Sequence, residues 1–126
     1  MTRIGLLRCR DNELTCPLTN CFRSMREKIQ GFQDYQETSL IGVFTIPDDM
    51  DQAVDLAKIL KSKGAEAIHM ATCAFSHKAE GKTWTLGQGF YAQADELARR
   101  IASEVGIPCI KGTAHLPDGY QPEVFR

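Results

Sequence analysis

The stretch IGLLRC, residues 4–9, is a short apolar run that ends in a cysteine, and the stretch AIHMATC, residues 67–73, has the same arrangement. Apolar runs of about four to eight residues are typical of buried β-strands. Two more such runs are LIGVF, residues 40–44, and IPCI, residues 107–110. The sequence therefore predicts a β-strand within each of these four runs.

Helical periodicity separates the predicted strands. Apolar side chains recur at spacings of three and four within residues 20–32, 53–60 and 90–105, the pattern of an amphipathic helix. Asp49 precedes the second of these segments as a candidate helix cap. Strands that alternate with helices are typical of a parallel sheet. We therefore predict the α/β class: a small three-layer domain of about four parallel strands, helices on both faces, and a flavodoxin-like or Rossmann-like strand order.

Length and composition indicate one domain. A chain of 126 residues with 43% apolar side chains is long enough to bury a single core. Residues 1–116 are predicted to form this domain, and residues 117–126 an irregular carboxyl-terminal extension. Residues 74–89 are predicted to be a long polar loop that carries Trp84; loops beyond about 12 residues are often functional lids or disordered.

The charge balance excludes several classes of partner. Fifteen basic and sixteen acidic residues leave a net charge of −1, whereas proteins that bind nucleic acids or anionic membranes need an excess of basic side chains. We therefore expect neither nucleic acid nor membrane as a partner. No apolar stretch approaches the roughly 20 residues of a membrane span, and no signal-peptide pattern is visible. A cytoplasmic location is expected, and the sequence leaves the oligomeric state open.

Cysteine and histidine are the residues most suited to chemistry here. An odd number of cysteines, five, in a reducing compartment is typical of free thiols, metal ligands or redox groups rather than of a disulfide framework. The carboxyl ends of parallel strands share one edge of the sheet, where α/β proteins bind ligands. The residues expected at or near this edge are Cys9, Thr45, Cys73 and His115, with Cys16 and Cys21 within reach.

Three other residues have plainer interpretations. Cys109 falls inside a predicted strand and is interpreted as a small buried side chain. His69 also falls inside a strand and fits either a core histidine bound to the backbone or a ligand. His77 lies in the polar loop and is expected to be solvated.

Several motifs together resemble the CGGC-domain family over nearly the whole chain. They are residues 4–9, Cys16-Pro17 with Cys21, Gly64-Ala65 before residues 68–73, and Gly106-Ile107-Pro108 before Gly112-Thr113. The resemblance implies a small α/β domain whose cysteines and histidines bind a metal, either zinc or an iron–sulfur cluster. The ligand roles that it implies fall on Cys9, Cys16, Cys21, His69, Cys73 and His115.

This chain departs from the family pattern at two places. Ile46-Pro47-Asp48-Asp49 stands where the family has Cys-Gly-Gly-Cys, and residues 87–91 lack a further cysteine before the third helix. Asp48 or Asp49 could supply an oxygen ligand there, although both are more simply interpreted as helix caps.

The leading hypothesis is a metal-binding cytosolic domain, because thiolates suit zinc at about 2.3 Å per sulfur, iron–sulfur clusters and copper(I). The first alternative is a thiol-based redox or small-molecule enzyme that uses Cys16 or Cys21, with Arg8, Arg10 and Arg23 near in sequence. The spacing from Cys16 to Arg23 disfavours a low-molecular-weight phosphatase or arsenate reductase. The second alternative is a binding module that has lost its metal. The expected partner is a metal ion or a small ligand.

Overall fold

The computed structural model describes residues 1–80 and 83–126. In this part of the chain the α-helices are α1 (Thr19–Glu27), α2 (Met50–Ser62) and α3 (Ala94–Arg100), and a π-helical turn at Ile101–Val105 continues α3. The strands are β1 (Thr2–Arg8), β2 (Thr38–Thr45), β3 (Ala67–Met70), β4 (Ser76–Lys78), β5 (Trp84–Leu86), β6 (Cys109–Lys111) and β7 (Glu123–Phe125).

The main sheet has the strand order β2-β1-β3-β6-β7. Its first four members are parallel, and β7 runs antiparallel to β6. The parallel strands thus follow the flavodoxin-like order, in which the chain moves from β1 to β2 on one side and then crosses to β3 on the other. This topology confirms the predicted α/β class, and the antiparallel strand β7 adds one member to the predicted sheet.

Helices cover both faces of this sheet. Val54 of α2 and Leu97 of α3 pack with Ile68 of β3 in one apolar cluster. Met25 of α1 packs with Ala67 of β3 in a second cluster. Because successive side chains of a strand point to opposite faces, β3 supplies both clusters, and the domain has the three predicted layers.

The first helix is shorter than its periodicity predicts. Residues 20–32 were expected to be helical, but α1 ends at Glu27, and Lys28 and Gln30 adopt left-handed backbone angles with φ of 56° and 54°. A 3₁₀ turn at Gln30–Phe32 follows. Its Gly31 packs so closely that a Cβ there would lie 2.3 Å from the carbonyl oxygen of Gly112. The chain thus leaves the helix at Lys28 and then packs closely against the segment after β6.

The start of α2 agrees with the sequence. The Asp49 carboxylate accepts hydrogen bonds from the backbone N–H groups of Asp51 at 2.9 Å and Gln52 at 3.4 Å. This geometry confirms its interpretation as a helix cap. Asp48 instead accepts a 2.7 Å hydrogen bond from Arg10.

The carboxyl-terminal segment is not wholly irregular. Within residues 117–126, Glu123–Phe125 form β7, in which Val124 lies opposite Ile110. An unpaired β6 would expose a row of backbone N–H and C=O groups, and β7 satisfies them. The Tyr120 hydroxyl donates a 2.8 Å hydrogen bond to the Lys111 carbonyl oxygen and anchors the segment. The boundary at residue 116 stays a prediction.

The predicted loop at residues 74–89 contains a β-hairpin. β4 and β5 are antiparallel, with His77 opposite Thr85. Residues 81 and 82, which belong to the same predicted loop, lie outside the described residues.

None of the helices within residues 1–80 and 83–126 is long and apolar enough to cross a membrane.

Candidate functional site

A pocket of about 480 Å³ lies at the carboxyl edge of the parallel strands. Its inner wall comes from segments that follow β1, β3 and β6, and its outer wall comes from the β4–β5 hairpin. Because β1 and β3 flank the point where the strand order reverses, the pocket lies where open α/β sheets bind ligands. The sequence-predicted residues that line it are Cys9, Cys16, Cys21, Cys73 and His115, and His77 lines it as well.

The innermost feature of the pocket is a pair of cysteines. The Sγ atoms of Cys9 and Cys73 lie 2.6 Å apart. Parallel pairing of β1 and β3 causes this contact, since Leu7 lies opposite Met70 and the Ala71 N–H donates to the Leu7 carbonyl oxygen at 2.9 Å. Cys9 is buried, whereas Cys73 is partly exposed toward the pocket.

The contact gives the two thiols different acidities. The hydrogen bond between the two thiols lowers the pKa of Cys73 against the opposing effect of burial, and Asn12 adds a second hydrogen bond. The same hydrogen bond, together with burial, raises the pKa of Cys9 far above its ordinary value. Cys73 is therefore the more acidic thiol of the pair, and its thiolate would lie in direct contact with the protonated Cys9 thiol.

The other two pocket cysteines are held separately. The Sγ atom of Cys21 lies 3.1 Å from the hydroxyl oxygen of Thr113, and burial raises the pKa of the Cys21 thiol. The carbonyl oxygen of Cys16 accepts a 2.6 Å hydrogen bond from Nη2 of Arg8. A raised pKa is unfavourable for a reactive thiol, so Cys21 is a weaker candidate nucleophile than Cys73.

His69 does not reach the pocket. It is fully buried, its Nδ1 lies 2.9 Å from the Gly112 carbonyl oxygen, and its Nε2 lies 2.7 Å from the Tyr35 hydroxyl. Its ring stacks on Phe32, with 4.3 Å between ring centroids. Both ring nitrogens are thus occupied, and the structure places His69 in the core, in agreement with its interpretation as a core histidine; its implied role as a ligand stays a prediction.

Of the other two histidines, His77 belongs to the hairpin of the outer wall, and His115, which follows β6, contacts that hairpin. His115 stacks on Trp84, with ring centroids 5.3 Å apart and ring planes 8° apart, and its Nε2 lies 3.0 Å from the Asn20 amide nitrogen. Nδ1 of His77 lies 2.7 Å from the Gly87 carbonyl oxygen, so this ring braces the hairpin. His77 is half-buried rather than fully solvated.

Two further predictions concern residues away from the pocket. Cys109 is completely buried, which confirms its interpretation as a small core side chain, and burial raises the pKa of its thiol to about 12. Thr45 lies at the same edge of the sheet, but its hydroxyl donates a 2.6 Å hydrogen bond to Glu13, outside the pocket lining.

The thiols as placed do not fit a metal ion. Within the described part of the chain, no three His, Cys, Asp or Glu side chains come together in a group that could hold one. Bond lengths of about 2.3 Å place two sulfurs on a tetrahedral zinc roughly 3.7 Å apart, whereas those of Cys9 and Cys73 are 2.6 Å apart. Zinc and iron–sulfur ligation by the predicted set therefore stays a prediction.

Sequence reasoning missed two features of this site. It did not pair Cys9 with Cys73, although each follows a predicted strand at the same edge. It also did not assign Arg8, Lys78 or the hairpin to the pocket lining. The signal for Arg8 was its place at the end of the first strand; nothing in the sequence indicated where the hairpin would fold.

Comparison with known proteins places these features in a family context. The model of the CGGC domain matches residues 3–114. An uncharacterised protein of Methanocaldococcus jannaschii, MJ0582, is 27% identical over 118 residues, which cover 88% of this chain and 85% of that protein. No solved structure matches the chain significantly.

Proposed function

Because this chain belongs to the CGGC-domain family, whose hallmark residues are cysteines, we propose that its function is thiol chemistry at the Cys9–Cys73 pair, which alternates between dithiol and disulfide. The observation that carries this proposal is the 2.6 Å contact between the two sulfur atoms. The accessible sulfur belongs to the thiol with the lowered pKa. The buried sulfur lies where the second step of an exchange needs it.

The proposed reaction is thiol–disulfide exchange with a low-molecular-weight disulfide as oxidant. The Cys73 thiolate attacks one sulfur of that disulfide, whose S–S bond breaks and releases one thiolate. Cys9 then loses its proton to solvent and attacks the Cys73 sulfur, which releases the second thiolate. Two cysteine thiols are oxidised to one disulfide while the substrate is reduced to two thiols. A thiol reductant reverses both steps.

The test uses the reduced protein and dithiodipyridine, an uncharged disulfide whose released thione absorbs light. The wild type is expected to release two equivalents of thione in the fast phase for each Cys9–Cys73 pair. Peptide mapping is expected to find Cys9 linked to Cys73. Cys9→Ala should release one equivalent and remain as a mixed disulfide on Cys73. Cys73→Ser should lose the fast phase, and Cys21→Ser is the matched control that should keep it. A fast linkage between any other two cysteines contradicts the proposal.

We also propose a cytoplasmic location, because a reducing compartment returns an exposed disulfide to the dithiol form between reactions. Co-fractionation of the native protein with cytoplasmic markers tests it. Recovery of the pair as a disulfide in an oxidising compartment is the contrary outcome.

The second candidate function is binding of a soft metal ion, zinc or the iron of a cluster. One observation favours it: four cysteines and His115 border the same pocket, and thiolates are the ligands that such metals prefer. The side chains would have to move from their present positions to form a site.

Metal and acid-labile sulfide content of protein purified anaerobically without an affinity tag tests this candidate. Three results together would support a metal site. The wild type holds near-stoichiometric metal, Cys73→Ser loses it while Cys109→Ser retains it, and the bound metal protects Cys73 from dithiodipyridine. Metal-free protein that forms the Cys9–Cys73 disulfide would support the redox function instead.

A further inference from the structure

The pocket lining carries positive charge and no carboxylate. Arg8 and Lys78 line it, and none of the lining side chains found in the described residues is Asp or Glu. The chain as a whole has sixteen acidic residues against fifteen basic ones. The pocket is therefore electropositive although the protein is nearly neutral, and such a cleft concentrates anions.

Arg8 is the more deeply placed of the two cations. Its Nη2 donates hydrogen bonds to the carbonyl oxygens of Asn12 at 3.2 Å and Cys16 at 2.6 Å, and its Nε is buried without a hydrogen-bond partner. No carboxylate in the described ranges lies within ion-pair distance of it. A partly buried guanidinium that contacts only neutral oxygens keeps its full charge available to a ligand, and charge-assisted hydrogen bonds to an anion are the strong kind.

The outer wall of the pocket is aromatic and flat. The nearly parallel stack of Trp84 and His115 lies on one side, and Phe90, 55% exposed, lies at the rim. A volume of about 480 Å³ falls in the range of small-molecule sites. An elongated molecule can place a charged group near Arg8 and Lys78 while its apolar part contacts this wall.

From these observations we infer that the pocket selects small organic anions that carry a planar apolar group. Given the function proposed above, on which this step rests, the substrate of the Cys9–Cys73 pair is an anionic low-molecular-weight disulfide. Arg8 and Lys78 select it by charge, and the wall with Trp84 selects it by shape.

The first arm of the test measures binding without thiol chemistry. Trp84 is the only tryptophan of the chain, so its fluorescence reports occupancy of the pocket. Nitrobenzoate and its uncharged analogue nitrobenzamide are titrated into the reduced protein. Nitrobenzoate is expected to bind at least about fivefold more tightly, which corresponds to roughly 1 kcal/mol, and to lose this advantage at high salt.

Variants identify the cations responsible. Lys78→Met should remove part of the preference for nitrobenzoate over nitrobenzamide, and Arg8→Met most of it. Lys58→Met is the matched control, because Lys58 is an exposed cation on α2. Lys78 is exposed and lies on the hairpin, so its variant decides the question if Arg8→Met fails to fold.

The second arm compares the exchange rates of two aromatic disulfides, the dianion dithiobis-nitrobenzoate and the uncharged dithiodipyridine. The ratio of the two rates is expected to fall by about fivefold or more in Lys78→Met and to stay constant in Lys58→Met. Equal affinity for the two nitro compounds overturns the inference, and so does a rate ratio that is unchanged in both Arg8→Met and Lys78→Met. Either result leaves the dithiol function intact. Absence of a Cys9–Cys73 disulfide with either reagent, together with preserved nitrobenzoate binding, overturns the dithiol function alone.

Discussion

The Tyr35 hydroxyl donates a hydrogen bond to Nε2 of His69 across 2.7 Å, while the Nδ1–H group of the same ring donates to the Gly112 carbonyl oxygen. These two bonds fix a neutral imidazole in the core. Burial lowers the pKa of His69 from 6.5 to about 4, although the Gly112 carbonyl acts in the opposite direction.

The free energy of unfolding is expected to fall as the pH drops from 6.5 toward 4. Over this range the unfolded chain binds a proton on His69 that the folded protein does not bind, so acid favours unfolding. The contribution is about 3 kcal/mol at the acidic end, and above pH 6.5 it is fully retained. Urea denaturation at several pH values measures it.

His69→Gln is the matched variant for this prediction, because the amide replaces both hydrogen bonds without a titrating group. The difference in unfolding free energy between wild type and variant should shrink below pH 6.5. A difference that stays constant from pH 7 to pH 4.5 would show that His69 does not titrate as described.

Alkylation of Cys73 is expected to follow a pKa below the ordinary thiol value of 9.0. The Cys9 thiol stabilises the Cys73 thiolate by a hydrogen bond, so the rate of reaction with iodoacetamide should rise with pH and level off above neutrality. In Cys9→Ala the midpoint should move up toward the ordinary thiol value of 9.0, since the donor is gone. A wild-type midpoint already near that value would contradict the assigned hydrogen bond.

Oxidation of the Cys9–Cys73 pair is expected to raise the thermal unfolding midpoint. The two cysteines are 64 residues apart in sequence, and closing a loop of that length stabilises a protein by about 4 kcal/mol in the chain-entropy treatment. Calorimetry of oxidised and reduced protein measures the difference. Cys9→Ala treated in the same way should show no increase; an equal increase in that variant would place the disulfide elsewhere.

Gly89→Ala is expected to destabilise the protein by roughly 2 kcal/mol or more. A Cβ at this position would lie 2.4 Å from the Ala74 carbonyl oxygen and 2.5 Å from the Phe75 nitrogen, which are backbone atoms that cannot turn aside. Gly42→Ala is the control, because its Cβ would meet only the end of the Leu60 side chain at 3.2 Å. Chemical denaturation should show a clear loss for the first variant and less than about 1 kcal/mol for the second.

The α/β class could be predicted from the sequence because strand runs and helical periodicity are local patterns. The end of α1 could not, since the left-handed backbone at Lys28 leaves no local pattern, and the close packing of Gly31 on Gly112 joins residues 81 positions apart in the sequence. The strands of the hairpin and β7 are three residues long. These strands lie largely outside the core, whereas the equally short β6 is fully buried, so only β6 leaves an apolar run in the sequence.

The edge of the sheet that carries the site was predictable from topology, because strand ends collect there in any parallel sheet. The pairing of Cys9 with Cys73 requires the strand order, which places β1 beside β3. The position of His69 could also have been predicted. Successive side chains of a strand point to opposite faces, so His69 must lie on the face opposite to Ile68 and Met70.

The reactive pair and the outer wall of the pocket have separate structural origins. The spacing of the two sulfurs is set by the pairing of central strands, whereas Trp84 and Lys78 belong to a hairpin that joins the domain outside the main sheet. The two parts can therefore diverge independently. Relatives that keep the strand pairing can keep the same thiol reactivity, while a hairpin of different sequence selects a different substrate.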